Sequence, residues 1–146
     1  MNEVEQKNIT NNQSQADYTQ SNVFIFDNRY DGITFTNATA AAEVILKSGH
    51  ILFKTAAGVV DILAAATGIA DVVGIARMEN DTVLADAASI DINMGVSGTI
   101  SEENLELNGL TLDTLIPTTT RTLRDQLNSL GFHLSSGVEN TKHDNS

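Results

Sequence analysis

Between Glu43 and Ala76 the chain reads EVILKSGHILFKTAAGVVDILAAATGIADVVGIA, an apolar, glycine-rich stretch that leaves few folds open. Val44, Ile45, Leu46, Ile51, Leu52, Phe53, Val59, Val60, Ile62, Leu63, Val72, Val73 and Ile75 arrive in short runs, separated by Ser48-Gly49, Ala57-Gly58, Gly68 and Gly74. Such spacing predicts short β-strands joined by tight turns. Ile51 to Thr55 and Val59 to Leu63 form the clearest pair, a hairpin whose three-residue loop Ala56-Ala57-Gly58 places glycine at positive φ. Ala64 to Asp71 reads as a small-residue loop, and Val72 to Ala76 as a further buried strand.

The flanks divide by pattern. Residues 1–22 hold five Asn and four Gln with few apolar interruptions, which predicts a flexible polar arm that cannot bury enough to fold alone. Val23 to Phe26 is a β-prone run ending at Asp27-Asn28, and the Asp31-Gly32 turn signal precedes a second short strand through Ile33 and Phe35. Ala38 to Leu46 reads as a loop or single helical turn leading into a strand, and Asn80-Asp81 as a turn into Thr82 to Ala85. At Ser89 to Met94, Ser89, Asp91 and Asn93 alternate with Ile90, Ile92 and Met94, so this strand has a wet face and a dry one. Gly95 and Gly98 bracket Val96-Ser97 and predict a bulge or turn before a short strand at Thr99-Ile100. Ser101-Glu102-Glu103 reads as exposed, Asn108-Gly109 as a hairpin dipeptide, and Pro117 as a break. Leu123, Leu127 and Leu130 then follow helical spacing, with Arg121 and Asp125 one turn apart and Gly131 at the C-cap position. This short amphipathic helix, near 120–130, is expected to pack its apolar stripe on its own domain. Phe132 and Leu134 flank His133 in a final extended piece, before a polar tail over 137–146.

The expected fold class is therefore mainly β: a small β-barrel-like or β-sandwich domain over 23–136 with a short C-terminal helix and a flexible N-terminal arm. The 146-residue length fits one domain. Nineteen acidic against eight basic side chains give a formal charge of −11, and no Lys or Arg occurs from Met78 to Thr120. That balance argues against nucleic acid as a partner, because displacing phosphate counterions requires a basic face. Without cysteine there is no disulfide framework and no thiolate metal site. The first ten residues lack a basic start and an apolar run, and no later segment has the length to span a bilayer, so no membrane partner is expected.

The residues offer little site chemistry. His50, His133 and His143 lie far apart without metal-ligand spacing. DNRYDG at Asp27 to Gly32 begins like a calcium loop, but Arg29 fills the third position and Ala38 the twelfth, where a bidentate carboxylate belongs. No GxGxxG or P-loop is present, and neither Lys47 nor Lys54 is flanked as a carrier lysine would be. Asn8, Asn37 and Asn80 open glycosylation sequons. No catalytic residue, metal or cofactor is assigned.

Several pieces together resemble the small β-rich decoration, or cement, proteins that stud the outside of tailed-bacteriophage capsids. They are the alanine-rich lead-in to Glu43 and Val44, the turn into a strand at Ser48-Gly49-His50-Ile51-Leu52, the loop leading to Gly74-Ile75-Ala76, and the strand Ile90-Asp91-Ile92 reaching Gly95 to Ile100. The resemblance spans roughly Ala38 to Leu107. It implies a compact β domain that forms a homotrimer on the outer surface of the virion, binds the major capsid protein, with other head proteins as further candidate partners, and bridges capsomers without enzymatic activity. It also implies that a flexible N-terminal arm orders on the shell by adding a strand to a sheet edge, which makes Val4, Ile9, Tyr18, Val23, Phe24 and Phe26 the candidate capsid contacts. Gly49, Gly58, Gly74, Gly95 and Gly98 are the expected structural turns. The C-terminal helix followed by Gly-Phe is also similar to phage head-fibre proteins, so a head-fibre or fibre-base protein is the nearest alternative. A small β-barrel enzyme or carrier domain is the alternative from another class.

Overall fold

The computed structural model describes residues 23–38 and 42–136. Its elements, in chain order, are β1 (Phe24–Thr36), β2 (Val44–Leu46), β3 (Ile51–Lys54), β4 (Val60–Ile62), a 3-10 segment (Ala66–Asp71), β5 (Val72–Arg77), β6 (Thr82–Leu84), β7 (Ser89–Ser101), a 3-10 turn (Glu102–Asn104), α1 (Leu123–Leu130) and β8 (Phe132–Ser135). The fold is mainly β with a short C-terminal helix, as the patterning predicts. The main sheet runs β1-β7-β5-β3-β4 with β8 alongside β7, while β2 and β6 form a separate ribbon. The edge strands β1 and β4 approach each other but share no ladder, so the sheet is not a closed barrel.

Strand alternation explains why the stretch after Ser48 carries almost no polar face. Successive side chains point to opposite sides of a sheet. Ile51, Leu63, Val72 and Ile75 enter one core, roofed by α1 (Leu123, Leu127) and by Leu105, Leu112 and Ile116 of the preceding loop. Leu52, Val60, Ile62 and Ala76 enter a second core with Phe35, Ile92 and Met94, closed by Leu46 and Leu84 of the ribbon. A sheet covered on both faces needs continuous apolar runs, and these strands have them. The β3–β4 hairpin closes as expected: Thr55 N donates to Val59 O at 2.8 Å, and Gly58 has φ +86°.

The long strands depart from the expected pieces. Asp31-Gly32 makes no turn; both residues lie inside the thirteen-residue β1, paired with Met94 and Asn93 of β7. A ladder of this length against β7 overrides a two-residue turn preference. Asp27-Asn28 instead forms a bulge, with Asp27 at φ +54° and register shifts on both sides. The Asn28 amide donates to Ser97 O at 3.5 Å and Thr99 O at 3.2 Å, which supplies donors to β7 carbonyls where the ladder is irregular. Likewise β7 continues through Gly95 to Gly98 to Ser101 as one strand, bulged where predicted. Gly74 and Gly95 are not turns but mid-strand residues at close approaches: a Cβ on Gly74 would meet the Met94 side chain, and one on Gly95 the Phe24 ring. Gly49, Gly58 and Gly98 do have positive φ.

After the bulge β7 changes partner. Its residues 93–95 pair with β5, whereas Gly98 to Ser101 pair in parallel with Phe132 to Ser135 of β8. The crossover between the two parallel strands contains α1, the usual solution for a parallel connection. Asn108-Gly109 forms a turn, with both residues at positive φ and Leu110 N donating to Leu107 O, but no strands flank it and no hairpin results. Ser101, expected to be exposed, is buried beside Asn104, and Glu102 pairs with Arg124 at 3.2 Å.

α1 is specified at both ends. The Thr122 side chain accepts from Asp125 N while the Asp125 carboxylate accepts from Thr122 N, a reciprocal capping box. Leu123 N and Arg124 N, which a helix leaves without internal partners, donate to Thr114 O and Leu112 O of the loop. Gly131 closes the helix at φ 110°. Arg121 and Asp125, one turn apart in sequence, meet through the Asp125 backbone carbonyl, to which Arg121 donates at 3.4 Å, while the Asp125 carboxylate accepts from Thr122 N in the cap.

Candidate functional site

The sequence-assigned contact residues separate once placed. Val4, Ile9 and Tyr18 lie outside the described residues. Val23 is 1% exposed and belongs to the helix-side core. Phe24 packs partly against the same core, its ring edge-on to Tyr30 at 5.4 Å between centroids. Phe26 is 70% exposed. It sits where β1, the sheet's terminal strand, presents an edge that no other described strand pairs. Ile45 and Val83, directly opposite each other on the β2–β6 ribbon, are also exposed.

His50 is structural in its geometry. It is 5% exposed, and its Nδ1 accepts from Lys47 N at 3.0 Å, so the neutral ring closes the Ser48-Gly49 turn. Burial pushes its pKa below the ordinary 6.5 and outweighs the opposing pull of Glu106. His133 is exposed on β8, and His143 lies outside the described residues. Among the described residues no three His, Cys, Asp or Glu side chains gather to hold a metal ion. No described helix is long and apolar enough to cross a membrane. Lys54 ends β3 beside the hairpin loop and Lys47 is half-buried. Asp27 to Gly32 is strand rather than loop, which gives it no calcium-binding curvature.

Asn37, the start of a sequon, is 1% exposed; its amide donates to the carbonyls of Ala42, Leu84 and Ala85 at 2.8 to 3.0 Å. A glycosyl transferase cannot reach an amide held in this way. Its sequence signal misleads because a sequon reports three neighbouring residue types and nothing about burial.

Sequence reading missed a second surface. On the side of the sheet that carries α1, beyond the reach of the helix, β1 and β7 present a polar row: Thr36 opposite Ser89, Thr34 opposite Asp91, and Gly32 opposite Asn93. Thr34 donates to Asp91 Oδ1 at 2.7 Å, and the Thr36 and Ser89 hydroxyls lie 2.8 Å apart. Gly32 leaves a notch in the row, and Gly32, Ile33, Thr34, Asp91, Ile92 and Asn93 line a shallow open depression there. Arg77 of β5 is in register with Asn93, and its guanidinium stacks over the Tyr30 ring 5.0 Å from the centroid. Period-2 alternation marks the β7 half of this face, but Gly32 and Arg77 join it only through strand pairing.

The chain defines a mainly β domain with a strand edge that no other described strand pairs, an exposed Phe26 on that edge, and a polar row across β1 and β7. Compared with known proteins, it matches no family model and no curated sequence.

Proposed function

We propose that this chain is a non-enzymatic structural protein of a tailed-bacteriophage virion, one that binds the outside of the capsid and stabilises the lattice by bridging capsomers. The observation that carries the reading is Phe26, 70% exposed near the start of a strand edge that no other described strand pairs, four residues after the polar segment 1–22. An extended segment continuous with an edge strand can add backbone hydrogen bonds to a partner's sheet, with an aromatic anchor supplying buried area. The resemblance between Ala38 and Leu107 and decoration proteins supports the same role. The mechanism is mass action: a ligand that binds only the assembled lattice stabilises it by its binding free energy. The proposed homotrimer adds avidity, since three arms on one body share a high effective concentration. The head-fibre alternative draws less support, because the leucine stripe that suggested it is spent within the domain core, with Leu123 and Leu127 fully buried.

Mixing the purified chain with expanded, undecorated capsids of the cognate phage and sedimenting them tests the reading. Saturable co-sedimentation is expected, weakened by Phe26→Ala and by deletion of residues 2–22, with the β signal in circular dichroism unchanged. Absence of saturable binding by the intact chain would sink the proposal.

A further inference from the structure

We infer that the notch at Gly32 is a binding site for a neutral saccharide, independent of any capsid role. The argument begins with which hydrogen-bonding groups the protein itself uses. Along the row formed by β1 and β7, Thr36–Ser89 and Thr34–Asp91 are satisfied across the strands. The next position breaks the series: Gly32 offers Asn93 no side-chain partner, and no described residue hydrogen-bonds the Asn93 side-chain amide. Arg77, beside Asn93 on β5, makes no ion pair among the described residues; its guanidinium is held by the face of Tyr30. Stacking fixes the guanidinium plane on the strand next to Asn93 and leaves its N–H donors unengaged by any carboxylate among the described residues.

The arrangement is therefore mixed in hydrogen-bond character and rigid in placement. Asp91 accepts only, Arg77 donates only, and Asn93 does both. Side chains on paired strands hold their spacing better than side chains on loops. Adjacent sugar hydroxyls, each both donor and acceptor, match this set. The Asp91 carboxylate disfavours an acidic ligand, as does the chain's formal charge of −11. Gly32 is what makes room: a Cβ built there meets nothing within 4 Å, so a side chain at this position would project into the notch without disturbing the sheet.

That last property supplies a clean test. The full chain, labelled for backbone amide NMR, is titrated with neutral methyl glycosides of glucose, galactose, mannose and N-acetylglucosamine, then with sialic acid and glucuronic acid as acidic arms. At least one neutral glycoside is expected to shift the amides of Tyr30, Gly32 and Asn93 saturably. Gly32→Val, which fills the notch, and Asn93→Ala should each weaken binding tenfold or more while the amide spectrum elsewhere and the melting temperature stay at wild-type values. The inference is overturned if no neutral glycoside shifts these amides, if only the acidic sugars do, or if binding survives Gly32→Val.

Discussion

Asn37 holds three segments together with one side chain. Its amide reaches Ala42 before β2, Leu84 at the end of β6 and Ala85 just after it, while its backbone exchanges bonds with Ala87 and Ala88. Replacing it with Ala leaves buried carbonyls unpaired, so Asn37→Ala should cost about 2 kcal/mol in urea unfolding. Asn37→Asp, nearly the same shape but without the donors, should also destabilise. His50 makes a second residue-scale prediction. Its folded pKa lies below the ordinary 6.5, so the unfolded chain takes up the proton first as pH falls. Its contribution is complete above about pH 6.5 and is lost as pH drops from there through the lower folded value. Protonation also ends the ability of Nδ1 to accept from Lys47 N. Urea midpoints measured across that window should slope for the wild type and flatten in His50→Asn. Asp125, held below its ordinary 3.8 by the hydrogen bond from Thr122, acts in a lower window and leaves this slope alone.

Among the elements, β7 carries the organising irregularity. Ile90, Ile92, Met94 and Val96 face the ribbon-side core, yet Ile100, at the same parity, belongs to the helix-side core. In a regular strand residues two apart share a face, so the bulge reverses the faces and lets one strand serve both cores. Gly98 permits this. It has φ +120°, a Cβ there would lie 2.6 Å from Asn28 Cα, and its N–H donates to Gly131 O at the helix end. Gly98→Ala should therefore cost about 3 kcal/mol through backbone strain alone, read as a lowered urea midpoint. The helix offers a milder comparison: Thr122→Ala removes half of the capping box and should cost about 1 kcal/mol by the same measurement. Of the two helix caps, Gly131 was legible as local chemistry, whereas the Thr122 cap emerged only from the structure, where its side chain and the Asp125 carboxylate exchange hydrogen bonds. The bulge was legible as a glycine pair, but its reversal of faces was not, because that depends on which core lies beyond each half of the strand.

At the scale of the molecule, the two cores share β3, β5 and β7 as a common wall. Leu52 points into one core and Ile51 into the other. Loss of packing on either face weakens the same strands, so the domain should unfold in a single transition. Leu52→Ala on the ribbon side and Leu127→Ala on the helix side should each cost about 3 kcal/mol, with circular dichroism and tyrosine fluorescence reporting coincident midpoints in both variants. Separate transitions would show that the faces fold independently. The amino-acid sequence by itself determined the properties that depend on near neighbours: β-strand content, the wet and dry sides of Ser89 to Met94, the Ala56-Ala57-Gly58 loop, and a leucine-striped helix stopped by Gly131. Only the tertiary structure decided that β1 runs unbroken through Asp31-Gly32, that β8 joins β7 in parallel, that Asn37 is buried, and that Arg77, Asn93 and Gly32 meet on one face. The reason is physical. Turn and helix preferences are set within a few residues, whereas a strand's partner, register and covered face are set by residues dozens of positions away, whose ladder and packing energies exceed local preference.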